Sequence, residues 1–339
     1  MKKTSIAYSV AMSLFLICLL GCKASTPDAA PTCKLKSSLT TTTLPQNGIT
    51  LGNTSIYDVK YEYDSKGNVI KMTNTSSGQA SNGSNAYNQT NVVTYAYNAD
   101  GFMTSNNFQS ASSNGTPFTV NKTFEYANGK LTKQTEQLIG TPPTNGNTTY
   151  EYDASGSLTK VIAFNSGSSG TGTIETFTYA NGILIGHTQR TNNVDTQPLT
   201  IQNGLVMRKN YNVPTNYITY QYDAQERQTR VEEYYAGVLS SYYTIEYEDN
   251  MKSHSGAITP YKGFPLTKSQ YGKGGVVKKY EYFLRVQNAM VQFNKTISTN
   301  QANARGYVAT GTDTNNQYST TGVTIILNSI RTYTYADCD

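Results

Sequence analysis

Residues 61–71 read Tyr61-Glu-Tyr63-Asp-Ser-Lys-Gly67-Asn-Val-Ile-Lys, and the fold turns on this stretch. Aromatic residues two apart lie on the same side of an extended strand, because side chains alternate faces with a period of two. Asp, Ser, Lys and Gly then reverse the chain. Asp bonds to its own backbone, and Gly supplies the positive φ that a tight hairpin needs. The aliphatic residue after Gly opens the return strand, so the unit is a β-hairpin with one apolar face. It recurs as Tyr95-Ala-Tyr97-Asn-Ala-Asp-Gly101 and Phe124-Glu-Tyr126-Ala-Asn-Gly129. It recurs again as Tyr150-Glu-Tyr152-Asp-Ala-Ser-Gly156 and Phe177-Thr-Tyr179-Ala-Asn-Gly182. Looser copies are Leu199-Thr-Ile201-Gln-Asn-Gly204, Tyr220-Gln-Tyr222-Asp-Ala-Gln-Glu226 and Ile245-Glu-Tyr247-Glu-Asp-Asn250. Tyr280-Glu-Tyr282 and Tyr333-Thr-Tyr335 keep only the aromatic half.

One hairpin is marginal in water, so the copies must pair side by side to fold. The expected fold is all-β: a repetitive antiparallel β-hairpin array forming a strongly curved open sheet or half-barrel. Turns are expected at Gly67, Gly101, Gly129, Gly156, Gly182 and Gly204, near Glu226 and near Asn250. The paired aromatics from Tyr61 to Tyr222 should share one face. A single layer cannot shield that face, so either the sheet curls or residues 255–339 fold over it; curling is the favoured reading. Polar loops are expected at 74–91, 110–117, 140–148 and 165–173. Clear repeats span 57–250, and 251–339 diverge. There, 276–295 reads as a hairpin around Arg285 to Asn288, 298–318 as a polar excursion and 323–335 as a closing strand or two.

The chain has 339 residues, 28 of them Tyr, with 14% charged residues and a formal charge of +5. The aromatic and β-branched content argues against a disordered chain, and Thr, Asn, Gly and Tyr are middling to poor helix formers. Residues 1–21 read as a leader: Lys2 and Lys3 precede an apolar stretch from Ile6 to Leu20 that is short for a membrane span. It ends in Leu19-Leu20-Gly21-Cys22, which resembles the bacterial lipoprotein signal. That resemblance implies cleavage before Cys22 and a lipid on its thiol. Residues 22–32 then form a flexible tether, and 33–339 a single domain. Removing two lysines lowers the charge from +5 to +3, and the remaining cations are scattered. Nucleic acid is therefore not an expected partner.

Of the four cysteines, Cys18 is in the leader and Cys22 is the lipidation site. Cys33 and Cys338 remain, at the two ends of the domain, and an exported compartment permits a disulfide between them. Two free thiols are the alternative. Catalytic signals are sparse. His187 and His254 are the only histidines, and no HExxH, CxxC or GxSxG occurs. Gly272-Lys-Gly-Gly275 lacks the Ser or Thr of a phosphate loop. Strand carboxylates Glu62, Glu125, Glu151, Glu175, Glu246 and Glu281 should mostly face solvent, and Asp64, Asp100, Asp153 and Asp223 should cap turns rather than hold calcium. No cofactor and no metal is expected. Tyr234, Tyr235, Tyr242 and Tyr243 form a dense set in which adjacent rings must point to opposite faces. They are the candidate contact surface.

The Tyr-x-Tyr-Asp-x-x-Gly-x-aliphatic unit resembles the YD repeat, also called the Rhs repeat, strongly through residue 182 and loosely to 335. With the lipoprotein box and the short array, the chain looks like lipoproteins of Bacteroidota that carry a few such repeats. The resemblance implies an exported, lipid-anchored antiparallel sheet at the outer membrane. It does not imply a toxin, because no separate effector domain is visible. The return strands carry Leu-Thr-Lys at 131–133 and 158–160 in place of the family's Arg. The expectation is a non-enzymatic structural or binding module of the cell envelope whose partner is a glycan or an envelope protein. The alternatives are a carbohydrate-active surface protein and an assembly component that docks on an outer-membrane partner.

Overall fold

Aromatic alternation and Gly turns repeat around the whole sheet. The computed structural model describes residues 33–43, 54–79, 86–113, 115–139, 144–165, 172–191, 193–211, 213–254, 262, 264, 273–287, 289–318 and 324–336. The first strands are β1 (Lys34–Thr43), β2 (Thr54–Tyr63), β3 (Val69–Gln79), β4 (Ala86–Tyr97), β5 (Met103–Ser112), β6 (Gly115–Ala127) and β7 (Lys130–Ile139). Next come β8 (Thr144–Tyr152), β9 (Leu158–Asn165), β10 (Thr173–Ala180), β11 (Ile183–Thr191), β12 (Val194–Thr196), β13 (Leu199–Gln202) and β14 (Leu205–Asn210). The last are β15 (Tyr217–Tyr222), β16 (Gln228–Tyr235), β17 (Val238–Glu248), β18 (Val276–Val286), β19 (Ala289–Ala302), β20 (Val308–Tyr318) and β21 (Thr324–Ala336).

Sequence neighbours pair antiparallel from β1 to β12 and from β13 to β21. The other edge of β1 pairs with β21, Lys34 opposite Ala336 and Leu35 opposite Tyr335. The sheet's two free edges are thus β12 and β13, which follow each other in sequence. The β11–β12 ladder ends at Gln189 opposite Thr196. Continued in register, it would set Pro198 against His187, and proline has no N–H to donate. The chain turns instead to β14, where the Asn210 N–H donates to the Pro198 carbonyl at 2.6 Å. β13 lies beside β11 without a ladder, and Ile201 packs on the cluster of Leu158, Phe177 and Leu184. The strip has curled until its edges touch, yet its hydrogen bonding is not closed. It is a strongly curved open sheet.

The expected turns appear at Gly67, Gly101, Gly129, Gly156, Gly182, Gly204 and Glu226, all at positive φ. Within the repeat hairpins the ladder shifts register at the second aromatic, as at Glu62/Tyr63, Ala96/Tyr97 and Glu125/Tyr126. Such a bulge re-aims one side chain. Here it brings a tyrosine hydroxyl to the previous hairpin. Tyr97 donates to the Val69 carbonyl, Tyr126 to Met103 and Tyr152 to Leu131, each at 2.8 Å. Tyr222 donates to Val206, Tyr247 to Gln228 and Tyr335 to Val308. Each acceptor lies two residues after the turn residue of the preceding unit. Burial pushes Tyr63, Tyr152 and Tyr247 up to about 12. The first aromatic is Phe at 124 and 177, so a hydroxyl is not required at that position in every unit.

The aromatic faces hold the apolar core in four clusters strung around the turn end of the sheet. Leu35, Met103, Leu131, Val206, Val308 and Cys33 are fully buried. The connection from β17 to β18 shows that this face is the concave one. It leaves beside Met251, which packs on the cluster around Leu35 and Tyr333. It then reaches strands far around the ring, where Phe264 packs on Phe124 at 5.1 Å between ring centroids and Lys262 donates to the Asp100 carbonyl. Curling and this crossing segment therefore both cover the rings.

Several expectations need correction. No hairpin closes at Asn250: β17 ends at Glu248, and after the turn at Asp249 and Asn250 the chain bridges through Lys252 to Tyr307 instead of opening a return strand on β17. The missed hairpin turns at Ala236-Gly237. Residues 298–318 are no excursion: β19 and β20 fill them around Gly306, with Asn303 Oδ1 capping the turn. Within the expected loops, 80–85, 114, 140–143 and 166–171 lie outside the described residues, while 74–79, 86–91, 110–112, 115–117 and 144–148 are strand, in β3, β4, β5, β6 and β8. Their Ser, Thr and Asn residues carry no apolar alternation from which to read a strand. Residues 323–335 supply one strand, β21. Asp64, Asp153 and Asp223 accept backbone N–H groups within their turns, but at Gly101 the cap is Asn98 and not Asp100. Glu175 faces the rings, two residues from Phe177, with its carboxylate 3.5 Å from His187 Nε2.

His254 fastens the crossing segment, stacked on Tyr333 with ring centroids 4.6 Å apart. Burial, then the nearby Arg331 guanidinium, lower its pKa to about 4. The folded state thus prefers the neutral ring, and its contribution is complete above the unfolded pKa near 6.5. It is lost as pH falls towards 4, by up to about 3 kcal/mol. Chemical unfolding from pH 7 to pH 4 should show this slope, and His254→Phe, which keeps the stack, should flatten it. An unchanged slope in that variant would assign the acid sensitivity elsewhere.

Candidate contact surface

On the convex face, β14 to β18 bring a row of aromatic and guanidinium side chains together. Register places them there: Arg208 is opposite Thr219, Tyr217 opposite Tyr234, Glu232 opposite Tyr242 and Tyr242 opposite Phe283. Their strand neighbours Tyr220 and Val231 are buried on the ring face. The Arg208 guanidinium lies 3.6 Å from the Tyr217 ring centroid. Tyr217 stacks on Tyr234 at 4.5 Å and 15°. Glu232 accepts from the Tyr234 hydroxyl at 3.0 Å, Arg230 Nε at 2.8 Å and Thr219 Oγ1 at 3.2 Å. Arg230 then lies over Tyr242 at 4.1 Å, and Tyr242 stacks on Phe283 at 4.5 Å and 14°.

The carboxylate of this row is held by three donors. Burial alone would raise the Glu232 carboxyl, but the bonds from Arg230, Tyr234 and Thr219 overcome it and hold the group below its ordinary value. Burial, then the bond to Glu232, push the Tyr234 hydroxyl upward. Several ring faces are taken up by one another or by guanidinium groups, so edges and hydroxyls are what the row offers to solvent. An aromatic row takes up a sugar through an open ring face, whereas a protein surface can use rigid amphipathic edges. Beside the row, two hairpin ends expose Tyr211, Val213, Tyr235 and Val238, Tyr235 by 69%. These ends are tied together: the Gly237 N–H donates to the Thr215 carbonyl and the Ala236 N–H to Asn216 Oδ1, both at 2.8 Å.

Of the four tyrosines singled out from sequence, Tyr234 and Tyr242 lie in this row and Tyr235 at an exposed hairpin end beside it. Tyr243 does not belong. Alternation turns it to the ring face, where it packs on the cluster of Val206, Tyr220 and Val231, and burial pushes its hydroxyl up to about 12. Arg208, Tyr217, Arg230, Glu232 and Phe283 were missed. Counting the same alternation across neighbouring strands would have found them, given the register.

Cys33 is completely buried, and β1 sets it beside the end of β21. Cys22 and Cys338 lie outside the described residues, as do the leader and the tether. Glu62, Glu125, Glu151 and Glu246 face away from the rings and pair across strands with Lys71, Lys133, Lys160 and Lys279. Among the described residues no three His, Cys, Asp or Glu side chains form a group that could hold a metal ion.

No protein-family model and no curated protein matches the chain. Among solved structures, it is similar to a porin-like protein from Bacteroides uniformis at 13% identity and a TM-score of 0.38, covering 93% of this chain and 100% of that one. A porin-like protein from Bacteroides vulgatus is similar at 12% identity and a TM-score of 0.29, covering 87% of this chain and 97% of that one.

Proposed function

We propose that the chain is a non-enzymatic binding module of the bacterial cell envelope. A lipid on Cys22 holds it at the outer membrane, and it meets a protein partner through the convex face of β14 to β18. The stacked row from Arg208 to Phe283 carries this reading. It is a preorganised surface that loses little side-chain freedom on binding, and it lies beside the exposed apolar ends around Tyr235. The Glu–Lys pairs on the rest of the convex face suit water, and outward charges of that kind destabilise a lipid-facing barrel wall. In this reading the YD-like units form the scaffold, and Cys338 is the partner of Cys33, pinning β1 to β21.

A photo-crosslinking residue placed at Tyr235, with a matched one at Glu62 as control, tests the contact in intact cells. A discrete adduct at 235, absent at 62 and lost when Arg230→Glu breaks the row, is expected. Equal adducts at both positions, or an adduct indifferent to Arg230→Glu, would remove β14 to β18 as the contact surface.

A further inference from the structure

Where the chain leaves β11 to reach β14, a cleft of about 470 Å³ opens on the convex face. Its base is the register pair Thr176 and Thr188. Lys160 and Ile174 form one side, and Arg190, Asp195 and Gln197 the other. The cleft exists because Pro198 ends the β11–β12 ladder. The strand bearing Asp195 is held by three pairs on β11, and the carbonyl of Gln197, just beyond its end, accepts from Asn210 Nδ2 at 3.4 Å.

We propose that this cleft is a binding site for a neutral saccharide unit. Its volume falls in the range of small-ligand sites. Both cations are already matched: Arg190 makes two 2.6 Å bonds to Asp195, and Lys160 lies 3.1 Å from Glu151. An anion would have to compete with those carboxylates, whereas a polyol need not. The Arg190–Asp195 pair presents planar, fixed donor and acceptor groups suited to neighbouring hydroxyls. Thr176, Thr188 and the Gln197 amide add groups that can donate and accept, and Ile174 gives an apolar wall for a sugar's C–H face. The site lies on β9 to β12, away from the stacked row of β14 to β18, so it can be right or wrong independently of that surface.

The test uses the soluble domain from residue 23 onward and saturation-transfer NMR with methyl glucoside, methyl galactoside, methyl mannoside, N-acetylglucosamine and methyl glucuronide. Saturable binding of at least one neutral sugar is expected. The double variant Thr176→Val/Thr188→Val should weaken it by roughly tenfold, the scale of one or two lost hydrogen bonds. Valine keeps the strand shape, and the convex-face control Thr332→Val should bind as the parent does. No saturable transfer from any neutral sugar, equal affinity in the double variant and the control, or preference for the glucuronide would each overturn the assignment.

Discussion

Tyr126→Ala should cost about 3–5 kcal/mol of stability, the range for emptying an aromatic site in a packed cluster. The ring lies against Met103, Phe124 and Leu131 and touches Phe264 from the crossing segment. Its hydroxyl also holds the Met103 carbonyl at 2.8 Å. Tyr126→Phe removes only that bond and should cost about 1 kcal/mol, or somewhat more if the carbonyl is left dry. Glu125→Ala, one residue away on the opposite face, should cost under about 1 kcal/mol, because its pair with Lys133 is exposed to water. Urea unfolding of the three variants checks the ordering. A glutamate substitution as damaging as Tyr126→Ala would reverse the assignment of faces.

The second large effect belongs to the charged network on the concave face of β19 to β21. Asp313 accepts from Arg331 at 2.7 Å and from Ser298 at 2.6 Å, while Arg331 also reaches Asn300 at 3.0 Å. The two charged side chains are only 18% and 20% exposed. Asp313→Ala leaves the guanidinium half-buried without its counter-charge and should cost about 2–4 kcal/mol. Replacing both partners, Asp313→Leu with Arg331→Met, should recover most of that loss, since the cost comes from the stranded charge and not from the absence of a pair. Thermal unfolding of the single and double variants measures the difference. A double variant no more stable than Asp313→Ala would mean that packing, and not charge, governs the site.

The turn end of the sheet was legible because each unit spells it twice, once in alternating aromatics and once in the Gly that follows. Tyr63, Tyr97 and Tyr126 were placed on the correct face by alternation alone. Their hydroxyl bonds were not visible, because they join one hairpin to the return strand of another and depend on the bulge. The far half of the strands was hidden. In stretches such as 105–112 and 144–149, both faces carry Ser, Thr, Asn or Gly, so no period distinguishes strand from loop. The Gly306 hairpin escaped notice for a related reason: Asn303-Ala-Arg-Gly306 follows Asn300 and Ala302 where the other copies have paired aromatics. The contact row was half legible. Tyr234 and Tyr242 stood out as a dense cluster, whereas Arg208 and Phe283 join them only through strand register. Glu175 was misjudged because the other strand glutamates sit between two ring positions, whereas Glu175 lies two residues before Phe177 and so shares its parity.

The placement of the sheet's edges has a consequence for how the chain assembles. Nearly every ladder joins sequence neighbours, so it can form by local hairpin closure; the pairing of β1 with β21 joins the two ends of the domain. Loop closure over that span is entropically the most demanding event in the fold, and contacts so distant in sequence form slowly. The ladder partners most distant in sequence meet there, Lys34 to Thr43 against Asn328 to Ala336. It leaves the boundary without a ladder at β11 and β13, which the chain already holds close through a short connection. In connectivity the molecule is a ring cut between β21 and β1. A permuted chain cut at Pro198, with its old ends joined, would retain every ladder described here and would no longer need the long-range closure.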